Sequence, residues 1–301
     1  MLTVVEPMLA TEDSVERLSS SAWAFEGKHD GNRMVVRVSG GQARLQSRSG
    51  RDVTGEYRIA FPDLPDMVLD GEAVVLAGGA PDFNAIQNRA SAGHTQFWAF
   101  DVLEVEGTDL CSSPYATRRR VLDLLADKYG LCAPAPLDAA TGADAMRWAE
   151  EHQWEGVVAK RLDSPYSLGR RSRDWLKQKR WQEAEVVIGG WKHGKGNRSD
   201  RIGNLLMGER TDRGLRFAGR VGTGFSDAEL ARLAGLLAPI AARDCPFYGI
   251  DGADARDAHW VEPLLVAEVR YQSETVNGHL RHPSWRGVKG FLDAVDERIG
   301  V

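Results

Sequence analysis

The sequence predicts an α+β domain of antiparallel sheets with flanking helices, followed by a small β-barrel domain. Residues 1–182 combine alternating strand patterns with two amphipathic helical patterns, which is typical of an α+β domain. Residues 183–301 hold short strands, glycine-rich turns and one helix, a pattern for which an OB-fold barrel is the leading candidate. With 301 residues, the chain is long enough for both domains to bury a core.

Strand alternation and turn residues define the elements of the first domain. RMVVRV at 33–38 and ARLQS at 43–47 flank Ser-Gly-Gly-Gln, so they are expected to pair as an antiparallel hairpin. Two further apolar strands are expected at 67–76 and 96–103. Helices are expected at 115–129, directly after Ser113-Pro114, and at 143–152.

The pattern changes near Trp181 to Ala184, where we expect the domain boundary. Beyond it, the sequence predicts one helix, at 227–241, and short strands at 185–191, 203–208, 215–221 and 264–271.

Composition excludes several classes of protein. The three cysteines, Cys111, Cys132 and Cys245, are widely spaced and contain no CxxC pair, which argues against a disulfide framework and a zinc site. There is no secretory signal pattern and no apolar stretch of membrane-spanning length, so we expect a cytoplasmic protein with no membrane partner.

The net charge of −5 hides a local basic run. Between residues 160 and 180 there are eight basic residues and two acidic ones, a local net charge of +6. Tyr166 and Trp175 are interleaved with these cations, which favours a polyanion site, although a solvated charged face is the alternative.

One short segment, Lys28-His29-Asp30-Gly31-Asn32-Arg33, carries the strongest chemical signal. A lysine before a tight Asp-Gly turn, with an arginine just beyond, brings an amine and a guanidinium into one pocket. Taken alone, a KxDGxR string can also arise by chance on a surface turn, so its meaning depends on the motifs that accompany it.

Those accompanying motifs occur in a fixed order that resembles the covalent nucleotidyltransferases, the superfamily of DNA ligases, RNA ligases and mRNA capping enzymes. The resemblance is nearest to bacterial ATP-dependent DNA ligases of the ligase C and ligase D type. It implies an ATP-grasp-like adenylation domain at 1–182 and an OB-fold domain at 183–301. The matching segments are 28–33, 47–50, 69–72, 97–101, 155–160, 175–179 and 281–285.

The resemblance also implies roles for individual residues around ATP. Lys28 would attack the α-phosphate and hold AMP, and Glu26 would flank the adenine. Arg33 and Arg48 would donate forked hydrogen bonds to ribose and phosphate oxygens. Phe100 would stack on the adenine, although Phe97 and Trp98 are not separated from it by strand alternation.

Further residues are expected around the phosphates and a metal ion. Glu155 would bind Mg²⁺ or Mn²⁺, and Glu72 would lie near the ribose or the metal. Lys160, Lys177 and Lys179 would approach the phosphates. Arg281 would contact the pyrophosphate half of ATP.

The implied function is an ATP-dependent DNA ligase that seals nicked double-stranded DNA through lysyl-AMP and DNA-adenylate intermediates. We expect a monomer near the bacterial nucleoid that works in repair with DNA repair or end-joining factors. The alternatives are an RNA ligase, a capping-type nucleotidyltransferase, or a non-catalytic OB adapter with a vestigial pocket. An NAD-dependent ligase is disfavoured because the chain lacks a zinc-finger cysteine set.

Overall fold

The computed structural model describes residues 4–29, 31–77, 80–81, 95–194, 201–275 and 277–292. Asp30 of the lysine motif lies outside these ranges. The chain divides into two compact units: an N-terminal unit, Met1–Arg180, and a C-terminal unit, Trp181–Val301. Within the described ranges, no helix has the length and apolar character needed to cross a membrane.

The N-terminal unit contains two sheets. A six-stranded sheet has the order β4-β3-β5-β7-β8, with β6 paired to β5, and a four-stranded sheet has the order β1-β10-β9-β2. All neighbours are antiparallel except β1 and β10, which run parallel. The strands are β1 (Leu9–Glu12), β2 (Trp23–Gly27), β3 (Asn32–Ser39), β4 (Gln42–Ser47), β5 (Met67–Ala77), β6 (Ala80–Pro81), β7 (Thr95–Val105), β8 (Thr108–Asp109), β9 (Gly156–Arg161) and β10 (Arg171–Lys179).

The predicted hairpin is present, and its turn is tight because two glycines supply the required backbone conformation. Gly40 and Gly41 have φ values of 56° and 76°, in the left-handed region that glycine adopts at little cost. The apolar segments predicted at 67–76 and 96–103 form β5 and β7, each slightly longer than expected.

Two helices cover the sheets of the N-terminal unit. Helix α1 (Tyr115–Tyr129) ends at Gly130, whose left-handed conformation closes the last turn. Helix α2 (Gly142–Glu151) begins with a capping box between Thr141 and Asp144. A short 3₁₀ turn also lies at Thr54–Glu56. Both helices start within one residue of the positions that the sequence predicts.

The hydrophobic core of the N-terminal unit has three layers. Leu122 and Leu125 of α1 pack on the six-stranded sheet, and Ala145 and Ala149 of α2 pack on the four-stranded sheet. The third layer lies between the two sheets and holds Met8, Val35, Val68, Phe100, Leu103, Tyr166 and Trp175. The space between the sheets is where side chains from both can meet.

The C-terminal unit is built around one seven-stranded sheet. Its order is β14-β16-β11-β12-β13-β15, with β19 paired to β16, and β17 and β18 form a separate pair. Its helices are α3 (Asp227–Leu237) and α4 (Gly252–Ala255). The strands are β11 (Gln182–His193), β12 (Ile202–Thr211), β13 (Gly214–Val221), β14 (Ala241–Ala242), β15 (Phe247–Tyr248), β16 (His259–Tyr271), β17 (Ser273–Glu274), β18 (Leu280–Arg281) and β19 (Ser284–Phe291).

One expectation for the C-terminal unit needs correction. The helix predicted at 227–241 ends at Leu237, because a 3₁₀ turn containing Pro239 follows and the chain then enters β14. The segment Gln182 to Ala184 belongs to β11 and pairs with β16.

Candidate active site

A cavity of about 220 Å³ lies in the N-terminal unit, with walls from both of its sheets. Eight of the eleven residues selected from the sequence line it. They are Glu26, Lys28, Arg33, Arg48, Glu72, Phe100, Lys160 and Lys177. Glu155 forms an ion pair with Lys28 of this set, and Lys179 in turn pairs with Glu155. Arg281 belongs to the C-terminal unit.

Lys28 sits in the connection between β2 and β3. Its backbone N–H donates to the carbonyl of Gly156 over 2.8 Å, which fixes this connection against the start of β9. Its Nζ forms an ion pair with Oε2 of Glu155 and lies 3.4 Å from the carbonyl oxygen of His29. The side chain is one-fifth exposed and lines the cavity, so a ligand there can reach it.

Glu155 connects two lysines that are distant in the sequence. Besides Lys28, its carboxylate is approached by Nζ of Lys179 at 3.3 Å. The close approach of β9 and β10 requires Gly156, because a Cβ at this position would lie 2.1 Å from the carbonyl oxygen of Gln178. Glu155 is thereby held between two cations.

Glu26, on β2, is buried, and each of its carboxylate oxygens has a separate donor. The hydroxyl of Tyr115 donates to Oε1, and Nζ of Lys160 lies 2.9 Å from Oε2. A buried carboxylate is costly unless it is paired and hydrogen-bonded, and both conditions are met here.

Lys160 is almost completely buried and surrounded by aromatic rings. Its Nζ donates to the carbonyl of Phe100 over 2.8 Å and lies within 5.0 Å of three ring centroids, those of Phe100, Tyr115 and Trp175. Burial lowers the pKa of this amine, while Glu26 acts in the opposite direction. Its ion-pair partner is therefore Glu26.

Arg33 differs from the expectation of a forked contact with the nucleotide. Its Nε and Nη2 donate to the two oxygens of Asp70 over 3.0 and 2.6 Å, so the fork is occupied within the protein. Burial alone lowers the pKa of the guanidinium, but the Asp70 carboxylate outweighs it and raises the pKa above its usual value. Tyr166 donates to the same carboxylate over 2.6 Å.

Glu72 is the second carboxylate of the cavity wall. Burial raises its pKa to about 7, with Glu155 and Asp70 adding to the rise and with Lys28 and Arg33 opposing it. A half-buried carboxylate beside another carboxylate is an arrangement that a cation would stabilise.

The structure separates the three candidate aromatic residues. Phe100 lines the cavity and lies next to Lys160 and Trp175. Phe97 is buried in the core beneath α1. Trp98 packs instead against His29, with ring centroids 5.1 Å apart and nearly perpendicular planes.

Arg48 and Lys177 reach the cavity from opposite sheets. Arg48 is exposed on the turn after β4, a turn closed by backbone hydrogen bonds between Ser47 and Arg51. Lys177 is on β10, where partial burial lowers the pKa of its amine. Both are cations that line the cavity, so both can contact an anionic ligand bound there.

His29 and Tyr115 are important neighbours that the sequence reasoning missed. His29 lines the cavity and is buried between Trp98 and Trp154, and its Nδ1 has no hydrogen-bond partner among the described residues. Tyr115 is the first residue of α1. The position of His29 inside the lysine motif was the only available signal, and nothing in the local sequence marks Tyr115.

The basic run between residues 160 and 180 is less uniform than its composition suggests. Tyr166 and Trp175, which are interleaved with these cations in the sequence, are both buried. Arg161 pairs with Asp163 and Asp174, and Arg173 pairs with Asp13 over 2.5 Å.

Arg281 lies in the C-terminal unit on β18, opposite Ser273. The same segment contains Trp285, which is buried in the core of that unit and donates to Glu229 over 3.2 Å. The motif at 281–285 is therefore anchored by its tryptophan.

Comparison with known proteins matches both units to ligase families. Residues 3–179 match the model of the ATP dependent DNA ligase domain, and residues 198–290 match the ATP dependent DNA ligase C terminal region. The multifunctional non-homologous end joining protein LigD of Mycobacterium bovis is 49% identical over 290 residues, covering 94% of this chain and 38% of the relative. LigD of Pseudomonas aeruginosa is 36% identical over 301 residues, covering 95% of this chain and 35% of the relative.

Solved structures agree with these matches. The ligase domain of Mycobacterium tuberculosis LigD is 46% identical with a TM-score of 0.58, and 95% of each chain is covered. A mycobacterial DNA ligase D complexed with ATP and MES is 45% identical, also with a TM-score of 0.58 and 95% coverage of both chains. A Lig E DNA ligase, at 16% identity and a TM-score of 0.64, shares the fold over 96% of this chain and all of its own.

These similarities identify the folds of the two units as the adenylation and OB domains of DNA ligases. The chain spans 38% of the length of the mycobacterial LigD proteins that it matches. With a cavity that holds the motif lysine, and with matched models over both units, the chain belongs to the family of ATP-dependent DNA ligases.

Proposed function

We propose that this chain seals nicks in duplex DNA in three steps, through AMP carried on Lys28. The observation that carries the proposal is the cavity, which brings the Lys28 amine together with an aromatic face, two carboxylates and five further cations. Lys28 is the nucleophile: its Nζ forms a bond to the α-phosphorus of ATP while the bond to pyrophosphate breaks. The attack needs the nitrogen lone pair, so the Lys28 ammonium, which pairs with Glu155, has to lose a proton before its bond to phosphorus forms.

The base and ribose have a natural position in the cavity. Phe100 offers a flat apolar face for adenine, and the Glu26 carboxylate is an acceptor for the amine of the base. Arg33 lies on the same wall with its fork on Asp70, which leaves Nη1 for the ribose. Adenine, with one apolar face and one donor edge, matches these groups.

The phosphates fit the cationic side of the cavity. Arg48 and Lys177 reach it from opposite walls, Lys179 is held beside Glu155, and buried Lys160 acts through Glu26. In-line transfer of a phosphoryl group relies on positioning and on charge neutralisation, which cations on several sides supply.

A divalent cation fits the carboxylates of this site. Glu155 and Glu72 carry hard oxygen donors, and burial and neighbouring carboxylates raise the pKa of Glu72 in the protein alone. We assign Mg²⁺ or Mn²⁺ to these two residues, where it would neutralise phosphate charge. The expected result is that addition of Mg²⁺ to the protein without nucleotide releases protons. Glu72→Gln should lose this proton release.

The names of the relatives support a proposal for the biological setting of this chain. LigD proteins are named for non-homologous end joining, and we propose that this chain acts as a monomer on nicked DNA in repair of that kind, near the bacterial nucleoid.

Arg281 of the C-terminal unit is proposed to contact the pyrophosphate half of ATP in the first step only.

The test is a two-stage reaction. The protein is first incubated with Mg²⁺ and ATP or GTP labelled at the α-phosphorus, and then with a duplex that carries one nick. Labelled protein with ATP, chased into sealed duplex, is the expected result. Labelling with GTP in preference to ATP would instead support a capping-type transferase, and label that is never transferred to DNA would refute the ligase assignment.

A further inference from the structure

Tyr115 contacts one of the proposed base-binding residues but does not itself line the cavity. Its hydroxyl donates to Oε1 of Glu26, which is 89 positions earlier in the chain. Its ring is 1% exposed, and its backbone N–H donates to the carbonyl of Ser164 over 2.8 Å. The phenol is therefore locked in place at the first residue of α1.

Glu26 is held at both oxygens by donors from different elements. Tyr115 comes from α1, and Lys160, 2.9 Å from Oε2, comes from β9. Lys160 is itself fixed by the carbonyl of Phe100 at 2.8 Å. Two donors on two oxygens fix the rotation of the carboxylate, which leaves its remaining lone pairs in one defined direction.

The fixed carboxylate distinguishes purines by the group at position 6. Adenine has an amine there, which donates a hydrogen bond to a carboxylate. Hypoxanthine and guanine have a carbonyl oxygen there, which a carboxylate repels. A site built to accept one hydrogen bond rejects a ligand without the donor more strongly when its acceptor is preorganised.

We propose that Tyr115 is a positioning residue that orients Glu26 as the acceptor for the 6-amino group and so contributes to the choice of ATP over 6-oxo nucleotides. The inference rests on the proposed function, because it assumes that the base lies beside Glu26 and Phe100. Burial and the neighbouring Glu26 raise the pKa of Tyr115 well above its usual value, so the phenol stays a donor at neutral pH.

The experiment measures kcat/KM for formation of the protein–nucleotide adduct with three triphosphates. These are ATP, inosine triphosphate with oxygen at position 6, and purine riboside triphosphate with no group there. In Tyr115→Phe, we expect kcat/KM for ATP to fall about tenfold, the size of one hydrogen bond to a charged group. The value for purine riboside triphosphate should change little, because this ligand has no amine to orient.

The matched control is Tyr271→Phe. Tyr271 is a buried tyrosine of the C-terminal unit whose hydroxyl also donates to a carboxylate, that of Glu274, over 3.0 Å. Its variant should keep the wild-type preference for ATP. An equal loss for all three triphosphates in Tyr115→Phe would mean a merely structural role and would overturn the proposal.

A double variant tests whether Tyr115 acts through Glu26. In the Glu26→Ala background, adding Tyr115→Phe should leave the preference between ATP and inosine triphosphate unchanged. A further change in that background would refute the proposed route. The double variant removes the Tyr115 hydroxyl together with its acceptor and leaves buried Lys160 with the carbonyl of Phe100 as its partner, so circular dichroism first checks that it folds.

Failure of the two proposals can be told apart. If the wild-type protein forms no adduct with ATP, the proposed function fails and this inference fails with it. If the wild type forms the adduct but Tyr115→Phe keeps the full preference for ATP, only the positioning role is refuted.

Discussion

The side-chain amine of Lys28 forms an ion pair with the carboxylate of Glu155, 127 positions later in the chain. The contact follows from the pairing of β2 with β9, in which Gly27 lies opposite Val157 and the Lys28 N–H donates to Gly156. Two motifs from distant parts of the sequence thus meet at the end of one strand pair.

Lys28→Ala should abolish the covalent AMP adduct, because no other side chain of the cavity is proposed to attack the phosphorus. The measurement is incorporation of label from ATP labelled at the α-phosphorus, followed by gel electrophoresis. Lys128→Ala, near the end of α1, is the control and should be labelled like the wild type. Covalent labelling of the Lys28→Ala protein would end the assignment of this lysine as nucleophile.

Glu155→Gln should slow adduct formation about 10² to 10³-fold, the usual effect of removing one preorganised electrostatic group from a site. The variant loses the charge that holds Lys28 and Lys179 and one oxygen proposed for the metal. Single-turnover labelling at several Mg²⁺ concentrations measures the change. Glu151→Gln, at the exposed end of α2, is the control. An unaltered Mg²⁺ dependence in Glu155→Gln would assign Glu155 a structural role.

The stability of the protein should depend on pH through His29. Burial lowers its pKa from 6.5 to about 4, with Lys160 and Lys28 adding to the decrease and Glu26 opposing it. Between these values the unfolded state binds more protons, so the free energy of unfolding rises with pH from about 4 to 6.5 and then levels off. The contribution of His29 is about 3 kcal/mol at most.

His29→Phe keeps a ring between Trp98 and Trp154 and removes the titrating group. Urea unfolding at several pH values should show a smaller rise between pH 4 and 6.5 than in the wild type. Glu72, whose raised pKa gives the opposite slope, is common to both proteins, so the difference isolates His29. Equal slopes would show that His29 is protonated in the folded state; His152→Gln, an exposed position, is the control.

Removal of Arg170, an exposed residue just before β10, should weaken nick sealing by lowering DNA affinity. If its guanidinium contacts one phosphate, the slope of log affinity against log salt should fall by about 1 in Arg170→Ala. Fluorescence anisotropy of a nicked duplex from low to moderate NaCl measures the slope. The control is Arg173→Ala, because Arg173 already pairs with Asp13. An unchanged slope in Arg170→Ala would remove this surface from the DNA contact.

Arg281→Ala should fail to adenylate itself and still seal a nick whose 5′ end already carries AMP. The reason is that contact with pyrophosphate exists only in the first step, so its loss affects that step selectively. Both assays are run on one preparation, with exposed Arg243→Ala as control. Equal losses in both assays would exclude a role of Arg281 that is confined to the first step.

The sequence by itself determined the β3–β4 hairpin, the strands β5 and β7, both helices and the order of motifs in the N-terminal unit. Gly40-Gly41 specifies the hairpin turn, the Thr141 to Asp144 spacing specifies the start of α2, and two apolar runs specify β5 and β7. These are local properties, because backbone conformation and the face of a strand depend on near neighbours. The family motifs then identified the ligase family, which does not depend on coordinates.

Only the tertiary structure decided which side chains become hydrogen-bond partners and which line the cavity. Alternation left Phe97, Trp98 and Phe100 equivalent, and packing of the two sheets put Phe100 at the cavity and Phe97 in the core. The guanidinium of Arg33 donates to Asp70, and Glu26 accepts a hydrogen bond from Tyr115 because α1 packs beside it. Residue spacing specifies which side chains share a strand face, but a buried polar group takes whichever distant partner the packed layers bring within reach.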